Sequence, residues 1–151
     1  MTTRALLTAA LAALTAAGCS TQDPEPVPAA CIESREAIAA ALQAAPRAVT
    51  LADGTRLSQC IERARTDAEL QTLGIVVTGV ADDLALHARD DPRAAARLGY
   101  LIGAARDGAR RTNGVALELA RRLEQTATLD GAPAAIHAAL QAGLRAGEAT
   151  G

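Results

Sequence analysis

Phenylalanine, tryptophan and lysine are absent from this 151-residue chain, and tyrosine occurs once, as Tyr100. Without large aromatic side chains, a core must be filled by Leu, Ile, Val and Ala. Alanine-lined helix faces permit close approach but bury little area each, so modest intrinsic stability is expected. All 15 basic residues are Arg, set against 17 Asp and Glu, for a formal net charge of −2. That balance excludes the broad positive field that nucleic-acid binding requires, and no nucleic-acid partner is expected. Beyond the first 18 residues, long apolar runs are scarce; the stretch 73–81 is too short to span a bilayer. Histidine occurs only as His87 and His137. A phosphate loop and a nucleophile elbow are both missing, so no cofactor and no enzymatic activity are predicted.

What is present starts at the N-terminus. Arg4 supplies a positive charge, residues 5–17 are apolar and uncharged, and the stretch ends on small residues before a cysteine. Leu14-Thr15-Ala16-Ala17-Gly18-Cys19 resembles the lipobox of bacterial lipoproteins. It departs from that pattern at Ala16, where the family usually has Leu; Leu14 lies two positions too far upstream. The resemblance implies cleavage before Cys19, a diacylglyceryl group on its thiol (palmitate-type acylation), and membrane attachment through that lipid. An ordinary secretory signal with Cys19 incidental is the alternative, and both carry the chain out of the cytoplasm. Ser20, where the family's inner-membrane retention residue is Asp, implies sorting to an outer membrane if the organism has one. Loss of Arg4 would take the net charge from −2 to about −3.

With Cys19 lipidated, Cys31 and Cys60 form an even pair in an oxidising compartment, and a disulfide between them is predicted. Closing a loop of about 30 residues is worth about 3.6 kcal/mol by chain entropy. Two buried free thiols or a metal pair are the alternatives, with no His close enough in sequence to complete a zinc set.

The organisation reads as a signal peptide (1–18), a lipid-anchored tether (19–30) with Pro24, Pro26 and Pro28, a helical domain (31–147), and a frayed tail (148–151) after Gly147. The fold class is all-α, a small bundle of five to six helices. A first helix is expected over Cys31 to Ala44, stopped by Pro46. Asp53-Gly54 between alternating residues suggests a short β-hairpin, after which Ser58 caps a short helix. Thr66 and Glu69 form a capping box opening the best helix, with an apolar seam of Leu70, Leu73, Val77, Val80, Leu84 and His87. Gly74, Ala81 and Ala88 beside it should let a neighbouring backbone come close. Asp91-Pro92 caps the next helix, which runs to Arg111 and carries Gly99 and Gly103 facing that seam. Thr112 or Asn113 caps a helix over Gly114 to Leu129, and Pro133 starts the last.

Candidate chemistry is thin. Asp83, His87 and Asp91 share one side of a helix, but His87 falls on the apolar seam and Asp91 serves as a cap, so no metal site is expected. Ser34 and Ser58 sit where caps do. Asp82-Asp83 and Asp90-Asp91 read as solvated charge. Arg110-Arg111 and Arg121-Arg122 could meet phosphates, but Asp107, Glu118 and Glu124 lie within salt-bridging reach. Tyr100 reads as core, its hydroxyl at the edge. The function expected is therefore a lipid-anchored, non-enzymatic structural, adaptor or binding module of the cell envelope, with an envelope protein as its unknown partner. A small periplasmic enzyme, or a small-ligand carrier with a pocket between helices, is the alternative. Function should lie away from the seam, on exposed faces or at the Asp53-Gly54 turn.

Overall fold

A computed structural model describes residues 25–112, 114 and 116–151. The lipobox and Cys19 lie outside the described residues. The chain is all-α: α1 is Arg35–Ala41, α2 Leu57–Arg63, α3 Asp67–Ala88, α4 Pro92–Arg110, α5 Leu117–Thr126 and α6 Ala134–Thr150, with 3₁₀ turns at Ala29–Cys31 and Leu42–Ala44.

Most helix starts follow from local chemistry. Ser34 Oγ accepts from Ala37 N at 3.1 Å and begins α1. The first helix is thus split, a 3₁₀ turn carrying Cys31 and an α-helix after Ser34, because a serine hydroxyl satisfies an orphan amide better than continued winding. At α3, Thr66 Oγ1 accepts from Glu69 N at 3.2 Å, and Glu69 Oε2 accepts from Thr66 N at 3.0 Å. Those bonds, the Thr66 amide first, hold the Glu69 carboxyl below its ordinary range. Asp91 Oδ1 accepts from Arg93 N at 2.8 Å, with Pro92 as the first helical residue. Thr112 Oγ1 accepts from Ala116 N at 3.2 Å ahead of α5, while Asn113 lies outside the described residues.

Helix α4 is the axis of the molecule. It touches α2, α3, α5 and α6 and is buried on nearly every side, with Leu98, Tyr100, Leu101 and Ile102 inside. Its closest partner is α6, and here one expectation is corrected: Gly99 and Gly103 do not face the α3 seam. A Cβ on Gly99 would strike the α6 backbone at Leu140 and Leu144, and one on Gly103 would strike it at Leu144 and Glu148. Conversely, Gly143 lies on the backbone of Ala96 and Gly147 on that of Tyr100 and Ala104. Residue numbers rise together along both helices, so α4 and α6 run parallel. Two glycine pairs, each four apart, mesh into one seam. Each interior glycine costs about 1 kcal/mol in helix propensity, offset by dispersion and Cα–H···O contacts that only backbone-to-backbone approach provides. A parallel pair needs a crossover, and α5 supplies it.

The apolar face of α3 does form a seam. Leu73, Val77 and Val80 are buried, and Leu70 and Leu84 are half-buried. His87 is not part of it; it is exposed. In the last turns the buried face rotates toward Ala81 and Ala88, and His87 sits about 100° around the helix from Ala88.

Cys31 and Cys60 are disulfide-bonded, Cα to Cα 5.6 Å across 29 residues, and both are buried. The bond ties the 3₁₀ turn before α1 to α2.

The β-hairpin is not there. Among the described residues no strand forms, only an isolated bridge between Thr50 and Arg56. The tight turn itself exists: Leu51 N donates to Thr55 O at 2.8 Å, Asp53 Oδ1 accepts from Thr55 N at 2.9 Å, and Gly54 has φ +83°. A ladder cannot extend from it. On one side the Val49 amide donates to Tyr100 Oη at 3.0 Å; on the other, Leu57 already begins α2. The cap of α2 is also not Ser58. Gln59 Oε1 accepts the Arg56 amide at 2.9 Å, while Ser58 is buried and its hydroxyl donates to the carbonyl of Gly151. That bond, with Tyr100 Oη 3.0 Å from Thr150 Oγ1, corrects the expected frayed tail. Helix α6 passes through Gly147 to Thr150 and leaves Gly151 buried. Gly147 continues the helix because it is a packing residue, not a stop.

Candidate functional site

The residues singled out for chemistry do not converge. His87 and His137 are both exposed and stand on different helices. Among the described residues no group of three His, Cys, Asp or Glu could hold a metal ion. Asp91 is occupied as a cap. Ser34 is a cap whose hydroxyl also bonds the exposed Glu36 carboxyl, and Ser58 is a buried donor to a backbone oxygen. Tyr100 is fully buried, its hydroxyl accepting from Val49 N and meeting Thr150 Oγ1. Thr150 Oγ1 donates in turn to Ala146 O at 2.9 Å, so the proton between the two hydroxyls belongs to Tyr100.

The arginine pairs are largely neutralised. Arg111 bonds Asp107 at 2.9 Å and Glu62 at 3.2 Å, Arg110 reaches Asp107 at 3.5 Å, and Arg121 and Arg122 share Glu118. Glu124 serves a different cation. Arg106, half-buried on α4, holds it at 2.6 Å and Glu148 at 3.4 Å, tying α4 to both α5 and α6. Those carboxylates, Glu124 above all, push the Arg106 pKa up against the opposing pull of burial.

What the tertiary structure does create is a groove between α3 and α5. Helix α3 turns Leu73, Val77 and Val80 inward, and α5 turns Ala120 and Leu123 inward, and the two helices also touch along their flanks, with Leu119 beside Gly74. Two hollows follow one another along the line between them. The first, about 390 Å³, is lined by Leu70, Gly74, Ile75 and Thr78 of α3 and Leu119 and Arg122 of α5, with Asp67 and Glu118 at the rim. The second, about 470 Å³, lies between Asp82, Ala85, Leu86 and Arg89 and the end of α5 at Thr126 to Leu129. At 100° per residue the α3 members all fall on one side of that helix. Ile75 and Leu86, eleven residues apart, lie within about 20° of one another and are 69% and 77% exposed.

Sequence reasoning missed this surface. Its one available signal was Ile75 and Leu86 standing outside the inward-facing set. The groove begins at the pole where the described chain begins: Glu25 pairs with Arg63 at 2.9 Å, and the Val27 amide contributes to the bonds on Glu69, two residues from Asp67. No helix among the described residues is long and apolar enough to cross a membrane. Comparison with protein-family models, with curated proteins and with solved structures finds no match for this chain.

Proposed function

We propose that this chain is a lipid-anchored protein of a bacterial cell envelope whose helical domain acts as a non-catalytic binding module. The observation that carries the reading is the buried Cys31–Cys60 disulfide. Disulfides persist in oxidising compartments, and this one uses every cysteine except Cys19, the residue that the lipobox resemblance assigns to the lipid. Only residues 20–24 separate Cys19 from the described chain, which begins at the Glu25–Arg63 pair, so a lipid on Cys19 would hold that pole near the headgroups. Two acyl chains suffice for stable anchoring, since each buried methylene contributes about 0.8 kcal/mol.

The binding role is supported by the open α3–α5 groove and by titratable side chains that serve as caps and ion-pair partners. Ser20 favours the outer membrane where one exists. Metabolic labelling with an alkynyl fatty acid tests the reading: the wild-type chain should take the label and partition with membranes, and Cys19→Ala should do neither. An intact mass showing an unmodified chain that begins elsewhere than Cys19 would overturn it.

A further inference from the structure

The arginine pairs, though largely neutralised, leave two guanidinium groups loosely held. Each carboxylate around them has a nearer cation. Asp107 is 2.9 Å from Arg111 but 3.5 Å from Arg110, and Glu148 is 3.4 Å from Arg106 but 3.8 Å from Arg110. Glu118 is 3.3 Å from Arg122 but 3.8 Å from Arg121. The side chains of Arg110 and Arg121 are 55% and 72% exposed, and ion pairs this long and this exposed hold neither firmly. Both arginines line one hollow of about 270 Å³ between α4 and α5, with Arg106, Leu117, Ala120 and Glu124. The spacing explains why they meet. Arg106 and Arg110 are four apart on α4, and Leu117, Ala120, Arg121 and Glu124 recur at three and four on α5, so each helix gives one face to the hollow. Arginines and carboxylates are matched over this end of the molecule as a whole, but the lining is not. Three arginines and one glutamate form it, and Arg106 already holds that glutamate at 2.6 Å. Two cations remain, with no carboxylate oxygen closer than 3.5 Å among the described residues.

We propose that this hollow binds a phosphate group, presented by a phospholipid headgroup of the membrane that holds the chain. The source of the phosphate rests on the lipid-anchored reading above; the chemistry rests on the arginines. A phosphate fits because its oxygens accept from two guanidinium forks at once and its charge answers theirs. A headgroup fits better than a free ion for two reasons. Leu117, 54% exposed, stands on the same face of α5 as Arg121, an aliphatic contact that a phosphodiester carrying glycerol and acyl chains can use and a bare ion cannot. The second reason is position. Arg111, next to Arg110, bonds Glu62 of α2 at 3.2 Å, and the residue after Glu62, Arg63, bonds Glu25 at 2.9 Å. The hollow therefore stands at the pole where the described chain begins, and only residues 20–24 come between Glu25 and Cys19. A lipid on Cys19 would bring that pole, and these arginines, to the headgroup layer.

The test uses the whole chain carrying Cys19→Ala, so that its own lipid plays no part. Three probes are followed by titration calorimetry: inorganic phosphate, dihexanoylphosphatidylglycerol below its micelle concentration, and an acetylated tetraglutamate peptide. The phosphatidylglycerol probe should bind at least about threefold more tightly than inorganic phosphate, and Leu117→Ala should remove that difference. Arg110→Gln with Arg121→Gln should weaken both phosphate probes about tenfold or more. Arg47→Gln with Arg93→Gln, exposed arginines outside the hollow, should leave both unchanged. Circular dichroism checks that each variant is folded; if the Arg110 and Arg121 double variant is not, Arg121→Gln alone should weaken both probes about threefold or more. Failure of either phosphate probe to bind, a loss shared equally by the control pair, or tetraglutamate bound as tightly as phosphatidylglycerol would overturn the proposal. Inorganic phosphate bound as tightly as phosphatidylglycerol would overturn the headgroup as its source. Fatty-acid labelling is read separately on the native chain. An unacylated chain that keeps the arginine-dependent binding removes the lipoprotein reading and leaves the site standing; an acylated chain without that binding does the reverse.

Discussion

Tyr100→Phe removes one oxygen from the centre of the molecule, and its cost can be worked from the hydrogen bonds. The Tyr100 hydroxyl accepts from the buried Val49 amide at 3.0 Å and meets Thr150 Oγ1 at 3.0 Å. In the phenylalanine variant the ring still fills its place, so the packing contribution is kept. Thr150 retains its bond to Ala146 O at 2.9 Å. The loss concentrates on the Val49 N–H, which is fully buried and cannot turn to water. An orphaned buried donor costs about 1–3 kcal/mol, a large part of a total that is commonly only 5–15 kcal/mol. Urea unfolding under oxidising conditions should show a lower midpoint with an unchanged slope. Amide exchange should accelerate at Val49 more than at Leu51, whose own amide bond to Thr55 O is intact. Thr150→Val provides the contrast. It takes the acceptor from the Tyr100 O–H and leaves the Val49 amide satisfied, so it should lower stability without accelerating exchange at Val49. A Tyr100→Phe variant within about 0.5 kcal/mol of wild type, with Val49 still protected, would refute the reasoning.

The two kinds of glycine should separate by sign: Gly147→Ala, whose Cβ would strike the α4 backbone at Tyr100, should cost about 1–3 kcal/mol, whereas Gly74→Ala should stabilise by up to about 1 kcal/mol, both read from thermal or urea unfolding. Reduction of Cys31–Cys60, or Cys60→Ser with Cys31→Ser, should lower stability by about 3.6 kcal/mol if loop closure dominates, seen as a lower melting temperature with reductant than without. The carboxyls of Glu36, Asp53 and Glu69 are all held below their ordinary values by backbone amides, joined by the side chains of Ser34, Thr55 and Thr66. Because each folded-state pKa is depressed, the stabilisation is fully present above the ordinary carboxylate range and is lost as pH falls through the depressed values. A urea midpoint that declines on acidification below about pH 4, and declines less in Glu69→Gln, checks the sign.

Much of the helix pattern was legible locally. Thr66 with Glu69, and Asp91 with Pro92, specify helix starts because a cap is a contact between residues two or three apart. The disulfide was legible by parity and compartment, since two cysteines remain once Cys19 is set aside. What sequence spacing could not decide was which elements meet. Gly99 and Gly103 announce that a backbone comes close, but only the fold selects α6, some forty residues on, over the adjacent α3. The matching spacing of Gly143 and Gly147 was there to be noticed, yet complementarity between two distant stretches is a property of their packing and not of either alone. The hairpin failed for the same reason: the Asp53-Gly54 turn formed as its residues dictate, but the amide that would have extended the ladder went to Tyr100 instead. The groove is the extreme case. No motif encodes it, because a groove is the hollow left beside the contact line when α3 and α5 each bury their inward face on the core. Helical period and capping are short-range and act within one element. Burial is long-range, and the residues left exposed are known only once every element has found its neighbour.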